Sequence, residues 1–379
     1  MKFKFVGLLI CCSIILASVL VSCAPVSSPA AKSPAAVPAT ESKPSTPTIA
    51  VENMPKTLFT PSNVDDALHT KDGTIYEWWY LDAVFDNGYS MSTSWQIVDP
   101  SLIGGKNQTR LVQFAIYDPS GKKTSVDANF AEKDCTASKT SCDVTMGTNT
   151  LKGNLVHYDI VFQDKDLGCK LSFDSLAEGF RNPPDGLSYF TKNPDRWIGW
   201  TIAQPRATVT GTLTLNGKEI PVRGTGYHDH NWGNVALSDM YNYWYWGRIF
   251  LPDYSFIYSV GEMIDSLGKK PSSVIFAYKG AQLVDVTTDI TAEPSDFVLD
   301  KFTGAKYPQA LVLRVAGKAC TGTLTHKLNH IVETQLPPGA KEGQGKAYFR
   351  FLSDCDIKLD VAGDKIDVNT PLLHELMIP

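Results

Sequence analysis

Runs of positive charge are missing from this chain. Its 35 Lys and Arg stand against 40 Asp and Glu, a formal charge of −5. No basic stripe gathers that could follow a phosphate backbone, which argues against a nucleic-acid partner. No Cys-x-x-Cys occurs among the 8 cysteines, so neither a structural zinc site nor a redox site is expected. No amphipathic helix of three turns or more can be traced, which removes bundles and helix-wrapped parallel sheets from consideration.

The N-terminus carries an address instead. Met1-Lys2-Phe3-Lys4 precedes an uncharged stretch over 5–21. That is the length of a signal-peptide core and too short for a spanning helix. It ends in Leu20-Val21-Ser22-Cys23, the form of a lipobox. The reading is a lipoprotein signal over 1–22 with lipidation on Cys23; an ordinary cleaved signal is the alternative. Residues 24–48 hold six prolines among Ala, Ser, Thr and Lys. Such a segment buries too little apolar surface to offset its ordering entropy, so 23–54 reads as a lipidated cysteine and an extended tether. Together they predict an extracytoplasmic protein held to a membrane, at the cell surface or the periplasmic face.

Beyond the tether the pattern is β. Tyr89–Ile97, Leu111–Tyr117 and Thr208–Leu215 are alternating or β-branched runs. Turn signals punctuate them at Asp86-Asn87-Gly88, Asp118-Pro119-Ser120-Gly121, Asn216-Gly217-Lys218 and Tyr278-Lys279-Gly280. The length exceeds what one core usually organises. The expectation is an all-β fold of two lipocalin-like barrels, over 55–237 and 238–379, each able to enclose a small ligand. Five cysteines fall in this body. In an oxidising compartment Cys135 and Cys142 would close a short loop and Cys320 and Cys355 would staple two strands, leaving Cys169 free.

Three constellations carry candidate chemistry. In Tyr76-Glu77-Trp78-Trp79-Tyr80-Leu81-Asp82, strand alternation puts Glu77, Trp79 and Leu81 on one face and Tyr76, Trp78 and Tyr80 on the other. A carboxylate among indoles has its charged form disfavoured and can act as an acid near neutral pH. The plainer alternative is an exposed Glu beside a packing tryptophan, or one paired with an arginine. In Gly224–Asn234, His228 and His230 share one face, with Asp229 and Asn231 opposite. His-x-His suits a metal, but the spacing supplies no third ligand beyond the candidates Glu77 and Asp239. A buried network in which a carboxylate orients an imidazole is favoured over a metal, and a simple strand-end turn is the alternative. In Tyr241–Arg248, Trp244 and Trp246 face one way and Tyr243 and Tyr245 the other. Arg248 follows on the tryptophan face, for a cation–π contact or a carboxylate. Aromatics this dense on both faces favour a pocket for a large apolar ligand over simple core.

These motifs resemble the carotenoid 1,2-hydratase (hydroxyneurosporene synthase) and AttH-like family. The resemblance rests on Glu77-Trp78-Trp79-Tyr80, Pro205–Leu213, Gly226-Tyr227-His228-Asp229-His230-Asn231-Trp232-Gly233 and Trp244-Tyr245-Trp246-Gly247-Arg248, in that order. It spans 55–260 well and the C-terminal third loosely. It implies paired lipocalin-like barrels with a pocket between them, and chemistry on isoprenoid, lipid or polyketide-like molecules. In the hydratases an acid protonates an alkene and water captures the cation, without a cofactor. His230 and Trp232 match positions implicated in activity. The family's acidic Tyr-x-Asp reads Tyr258-Ser259-Val260 here: Tyr258 is present and the aspartate is not. Asp229 or Glu77 must then supply the proton. The expected catalytic set is Asp229, His230, Glu77 and Tyr258. The expected ligand-contacting set is Trp78, Trp79, His228, Asn231, Trp232, Tyr243, Trp244, Trp246 and Arg248. The resemblance also opens a non-catalytic alternative, a lipid or isoprenoid carrier with a transporter partner.

Overall fold

The computed structural model describes residues 56–69, 71–99, 108–190, 195–337 and 339–379. The signal, Cys23 and the tether lie outside them. Two antiparallel sheets account for nearly all regular structure, and the described helical elements are three-residue 3₁₀ turns. Among the described residues no helix is long and apolar enough to cross a membrane.

The first sheet has 13 strands. Its first long strand, Tyr76–Phe85, pairs with the late strand Lys218–Gly233 on one side and with Ser90–Val98 on the other. The two edge strands, Lys123–Phe130 and Cys135–Ala137, are consecutive in the chain and joined by a four-residue turn. That connection draws the sheet's ends together, so it curls around a core that includes Trp79, Trp95, Phe114, Phe162 and Phe173. The second sheet, of 9 strands, repeats the plan. Tyr241–Phe250 pairs with the final strand Asp364–Ile378, and the edges Gln282–Thr287 and Ile290–Leu299 are again neighbours in sequence. Its core includes Tyr258, Phe349, Phe351 and Ile357. The all-β, lipocalin-like expectation holds.

Alternation explains most of the burial. His157–Asp164 buries every second residue, one face inward and one to solvent, and Ser90–Val98 alternates buried with half-buried positions. Tyr76–Phe85 is largely buried on both faces, because its outer face meets the second sheet. There Phe180, Ile202 and Tyr227 pack with Ile257, Phe276 and Tyr278 in a third core between the sheets. All four turn signals fall at hairpin ends. At Asn216-Gly217 both residues have positive φ, 53° and 73°, as a type I′ turn requires.

Two features differ from expectation. The run at Thr208–Leu215 is the second half of a 19-residue strand, Trp197–Leu215, bent by register shifts around Gln204–Ala207. Pro205 lies in that irregularity, where a missing ladder donor is tolerated. The disulfides do not exist: all five described cysteines are free thiols. Cys320 lies opposite Val361 and Cys355 opposite His326, six positions apart along the ladder, or about 20 Å at roughly 3.3 Å per residue. Cys135 faces Met146, four positions from Cys142. Spacing along the chain suggested these pairs; the register separates them.

Candidate functional site

The strand Lys218–Gly233 serves two sites because its side chains alternate through the sheet. Asp229 and Asn231 emerge on the side facing the second sheet; His228 and His230 emerge inside the first barrel. The same alternation on the neighbouring strand sends Tyr76, Trp78 and Tyr80 to the intersheet side and Glu77 and Trp79 inward.

On the intersheet side lies a cavity of about 220 Å³. Four tryptophans wall it, Trp78 and Trp200 from the first sheet and Trp244 and Trp246 from the second, with Tyr76, Tyr80 and Tyr241. Asp229 is one of two carboxylates on the wall and is only 5 % exposed. It accepts hydrogen bonds from Trp200 Nε1 and Tyr227 Oη (2.8 Å each) and from Asn231 Nδ2 (2.9 Å). Burial pushes its carboxyl up to about 7, against the pull of the Trp200 and Tyr227 donors. The other carboxylate, Glu375, is paired with Arg350 (2.7 Å).

The interior site is closed. Glu77 accepts from the His69 backbone N–H (2.8 Å) and meets His230 Nε2 at 2.9 Å. Burial raises Glu77 to about 8 and lowers His230 to about 4. His230 stacks on Trp79 with ring centroids 4.4 Å apart, and Trp79 donates its Nε1–H to the Asp66 carbonyl (2.9 Å). Trp232 stacks on His69 at 3.6 Å; Gly199 makes room for its ring, since a Cβ there would overlap the indole. His228 Nε2 meets the Asp66 carboxylate at 3.1 Å, and Tyr158 donates to the same carboxylate. Burial alone would push the Asp66 carboxyl up, but the facing His228 and His230 hold it below the usual carboxylate range.

The predicted residues therefore divide. Asp229, Trp78, Asn231, Trp244 and Trp246 meet at the cleft. Glu77, Trp79, His228, His230 and Trp232 do not reach it; they are interior, 0–2 % exposed. Tyr243 packs against the second core beside Tyr245. Tyr258 does not line the cleft: it is buried inside the second barrel, its hydroxyl 3.3 Å from His326 Nε2. It lies opposite Gly247, on the face away from Trp246 and Ser259. Arg248 pairs with Asp82 through Nε (2.8 Å) and lies over the Phe250 ring. Its charge is thus neutralised within the protein. Asp239 is exposed and does not line the cleft.

Several cleft and interior residues escaped sequence reading. Trp200 had a faint signal, two tryptophans in Trp197–Trp200 at the start of an alternating run. Tyr76 and Tyr80 were placed on the right face without a role. Tyr241 heads the aromatic segment Tyr241–Arg248 but carries no assigned role there; Asp66, His69 and Glu375 have no signal, since each arrives from outside the three constellations.

A family model described as AttH-like matches residues 61–333. The chain belongs to the AttH-like family. This AttH-like chain is 26% identical over 237 residues to a protein of Chlorobaculum tepidum named hydroxyneurosporene dehydrogenase, covering 53% of this chain and 61% of the relative. It thus spans less than two thirds of that relative's length. It is 24% identical over 298 residues to the quinolone epoxide rearrangement protein penF of Penicillium thymicola, covering 69% of this chain and 77% of the relative. Among solved structures it resembles an AttH of Nitrosomonas europaea, with a TM-score of 0.61 at 16% identity over 82% of this chain and 94% of the other. That likeness supports the fold.

Proposed function

We propose that the cleft between the sheets binds a large apolar molecule, isoprenoid-, lipid- or polyketide-like, and that Asp229 in its acid form protonates it. The observation that carries this is an aromatic cavity with one carboxyl on its wall that is not paired with an arginine or lysine. Proton transfer from Asp229 to an alkene carbon would leave a carbocation beside indole and phenol faces, which attract positive charge. Capture by water and return of its proton to the Asp229 carboxylate yields an alcohol. Attack by a second double bond and loss of a proton yields a cyclised isomer. The three donors on Asp229 stabilise the carboxylate that exists between the two proton transfers. One sequence relative is named for a rearrangement, which supports this class of reaction, and the other for a hydroxyneurosporene, which supports an apolar ligand. Acylation of Cys23 would hold the cleft near a membrane, where apolar substrates concentrate.

The test uses a panel of polyene isoprenoids, with binding read by tryptophan fluorescence and products by mass spectrometry. Hydration adds the mass of one water; cyclisation adds none. Asp229→Asn is expected to retain binding and lose turnover by at least about 10²-fold, the usual contribution of a positioned acid. Wild-type turnover in Asp229→Asn would remove the acid role. Binding without turnover in the wild type would leave a carrier.

A further inference from the structure

The cleft chemistry makes no use of the polar cluster inside the first barrel. Asp66, Cys142, His228 and His230 are each 0–2 % exposed. A ligand atom from each of Asp66, Cys142 and His228 lies within 4.8 Å of the other two. His230, which clusters with His69 and Glu77 on its other side, stands beside them with its Nδ1 3.5 Å from Asp66 Oδ1. These last two atoms have no hydrogen-bond partner. Tetrahedral ligands about 2.0–2.1 Å from an ion lie roughly 3.3–3.5 Å apart, so this separation is that of two ligands sharing one ion.

The outer contacts of both imidazoles point the same way. His228 turns Nδ1 to the carbonyl oxygen of Tyr80 at 2.9 Å, an acceptor that demands the hydrogen be on Nδ1. His230 meets Glu77 through Nε2 at 2.9 Å, a contact in which the ring donates when Glu77 is ionised. A backbone carbonyl on one histidine and a carboxylate on the other are the usual outer partners of metal-binding imidazoles. With the hydrogen on each outer nitrogen, neutral rings would present lone pairs on His228 Nε2 and His230 Nδ1 to the oxygens of Asp66. Lone pairs facing a carboxylate in a dry interior repel unless a proton or a metal ion lies between them. Tyr158 donates to the remaining side of Asp66.

We propose that the interior of the first barrel is a structural zinc site, with Asp66, Cys142 and His228 as ligands, a small shift of His230 completing the four, and Glu77, Tyr80 and Tyr158 as outer partners. The donor set of one thiolate, one carboxylate and two imidazoles is of the borderline-soft kind that zinc takes. With Cys142 deprotonated on binding, two negative ligands balance the ion, so the buried site is neutral. The ligands come from the segment before the first strand, from Cys142–Met146 and from Lys218–Gly233. A zinc ion there would tie the entry segment to the barrel wall.

The test is the metal content of the full chain. Purified from zinc-supplemented medium and passed through gel filtration, it is expected to carry about one zinc per chain by mass spectrometry of the elements. A chain refolded with cobalt in place of zinc should show the intense visible bands of tetrahedral cobalt and a thiolate-to-cobalt ultraviolet band. Cys142→Ser should lose the ultraviolet band, and His228→Gln should lower the content at least tenfold. A metal-free wild-type chain from that medium overturns the proposal without any variant. So does cobalt bound without the thiolate band, which would mark surface histidine and carboxylate groups such as those around His157. If the site instead holds only protons, no metal is retained, and the cleft reading is untouched.

Discussion

Replacing Arg350 with Met should separate the two sheets energetically. Arg350 lies on the second sheet, 7 % exposed. Its Nη2 donates to Glu375 Oε1 (2.7 Å) and to Tyr80 Oη of the first sheet (3.1 Å), and its Nη1 to Tyr117 Oη (3.3 Å), also of the first sheet. Tyr117 continues the network to Glu333, which Lys123 joins, and Tyr80 continues it to Asp82, the partner of Arg248. Methionine fills a similar volume but supplies none of these donors. Glu375 would keep only the Tyr348 hydroxyl (2.6 Å), as a half-buried carboxylate without a cation, its side chain 17 % exposed. Removing one member of a buried pair costs about 3–5 kcal/mol. With a urea slope near the top of the roughly 1–3 kcal/mol/M range, the unfolding midpoint should fall by about 1 M or more. The double change Arg350→Met with Glu375→Leu removes both charges and should recover most of the loss, with a coupling of about 2 kcal/mol or more in the mutant cycle. Fluorescence and circular dichroism in urea measure it. A single-variant cost below about 1 kcal/mol, the range of a solvated surface pair, would refute the reasoning. A double variant as unstable as the sum of the singles would do the same.

Other consequences follow from the division between core and cleft. Trp79→Ala should cost about 3–5 kcal/mol of stability, because it empties a fully buried site, whereas Trp246→Ala should chiefly weaken ligand binding; denaturation and fluorescence titration separate them. Gly199→Ala should lower the melting temperature through its overlap with Trp232, at a cost of about 1–3 kcal/mol. Reducing agent should leave the melting temperature unchanged, since the described thiols are free; a fall would reveal a disulfide. The second barrel should weaken in acid. His326 and His374 are buried there, His326 held down to about 3 by burial. Between that value and about 6.5 the unfolded chain binds protons that the folded chain does not, so stability is present at neutral pH and falls as pH drops through this window. The slope is about 1.4 kcal/mol per pH unit for each such histidine. Urea midpoints at pH 7 and pH 5 measure it, and His326→Leu should flatten the difference.

Strand alternation made much of the site legible in the order of the residues alone. The opposed faces of Glu77–Trp79 and Trp78–Tyr80, of His228–His230 and Asp229–Asn231, and of Trp244–Trp246 and Tyr243–Tyr245 are local properties of an extended chain, where successive side chains point to opposite sides. The β class and the hairpin turns were legible for the same reason, as periodicity and turn chemistry act over two to ten residues. Which of two opposed faces would be pocket and which core was not legible. Trp79 and Trp78 are adjacent and alike, and only the second sheet's arrival on one side makes Trp78 a wall and Trp79 a core residue.

The sequence by itself thus determined the two-sided character of each aromatic strand, because one residue's backbone geometry dictates the next residue's face. Only the tertiary structure decided the partners. Asp66 reaches His228 across 162 positions, Arg350 reaches Tyr80 across 270, and Cys320 misses Cys355 by six rungs of a ladder. Those outcomes depend on strand register and on how two curled sheets meet, which are set by the sum of long-range packing and by no local run of residues.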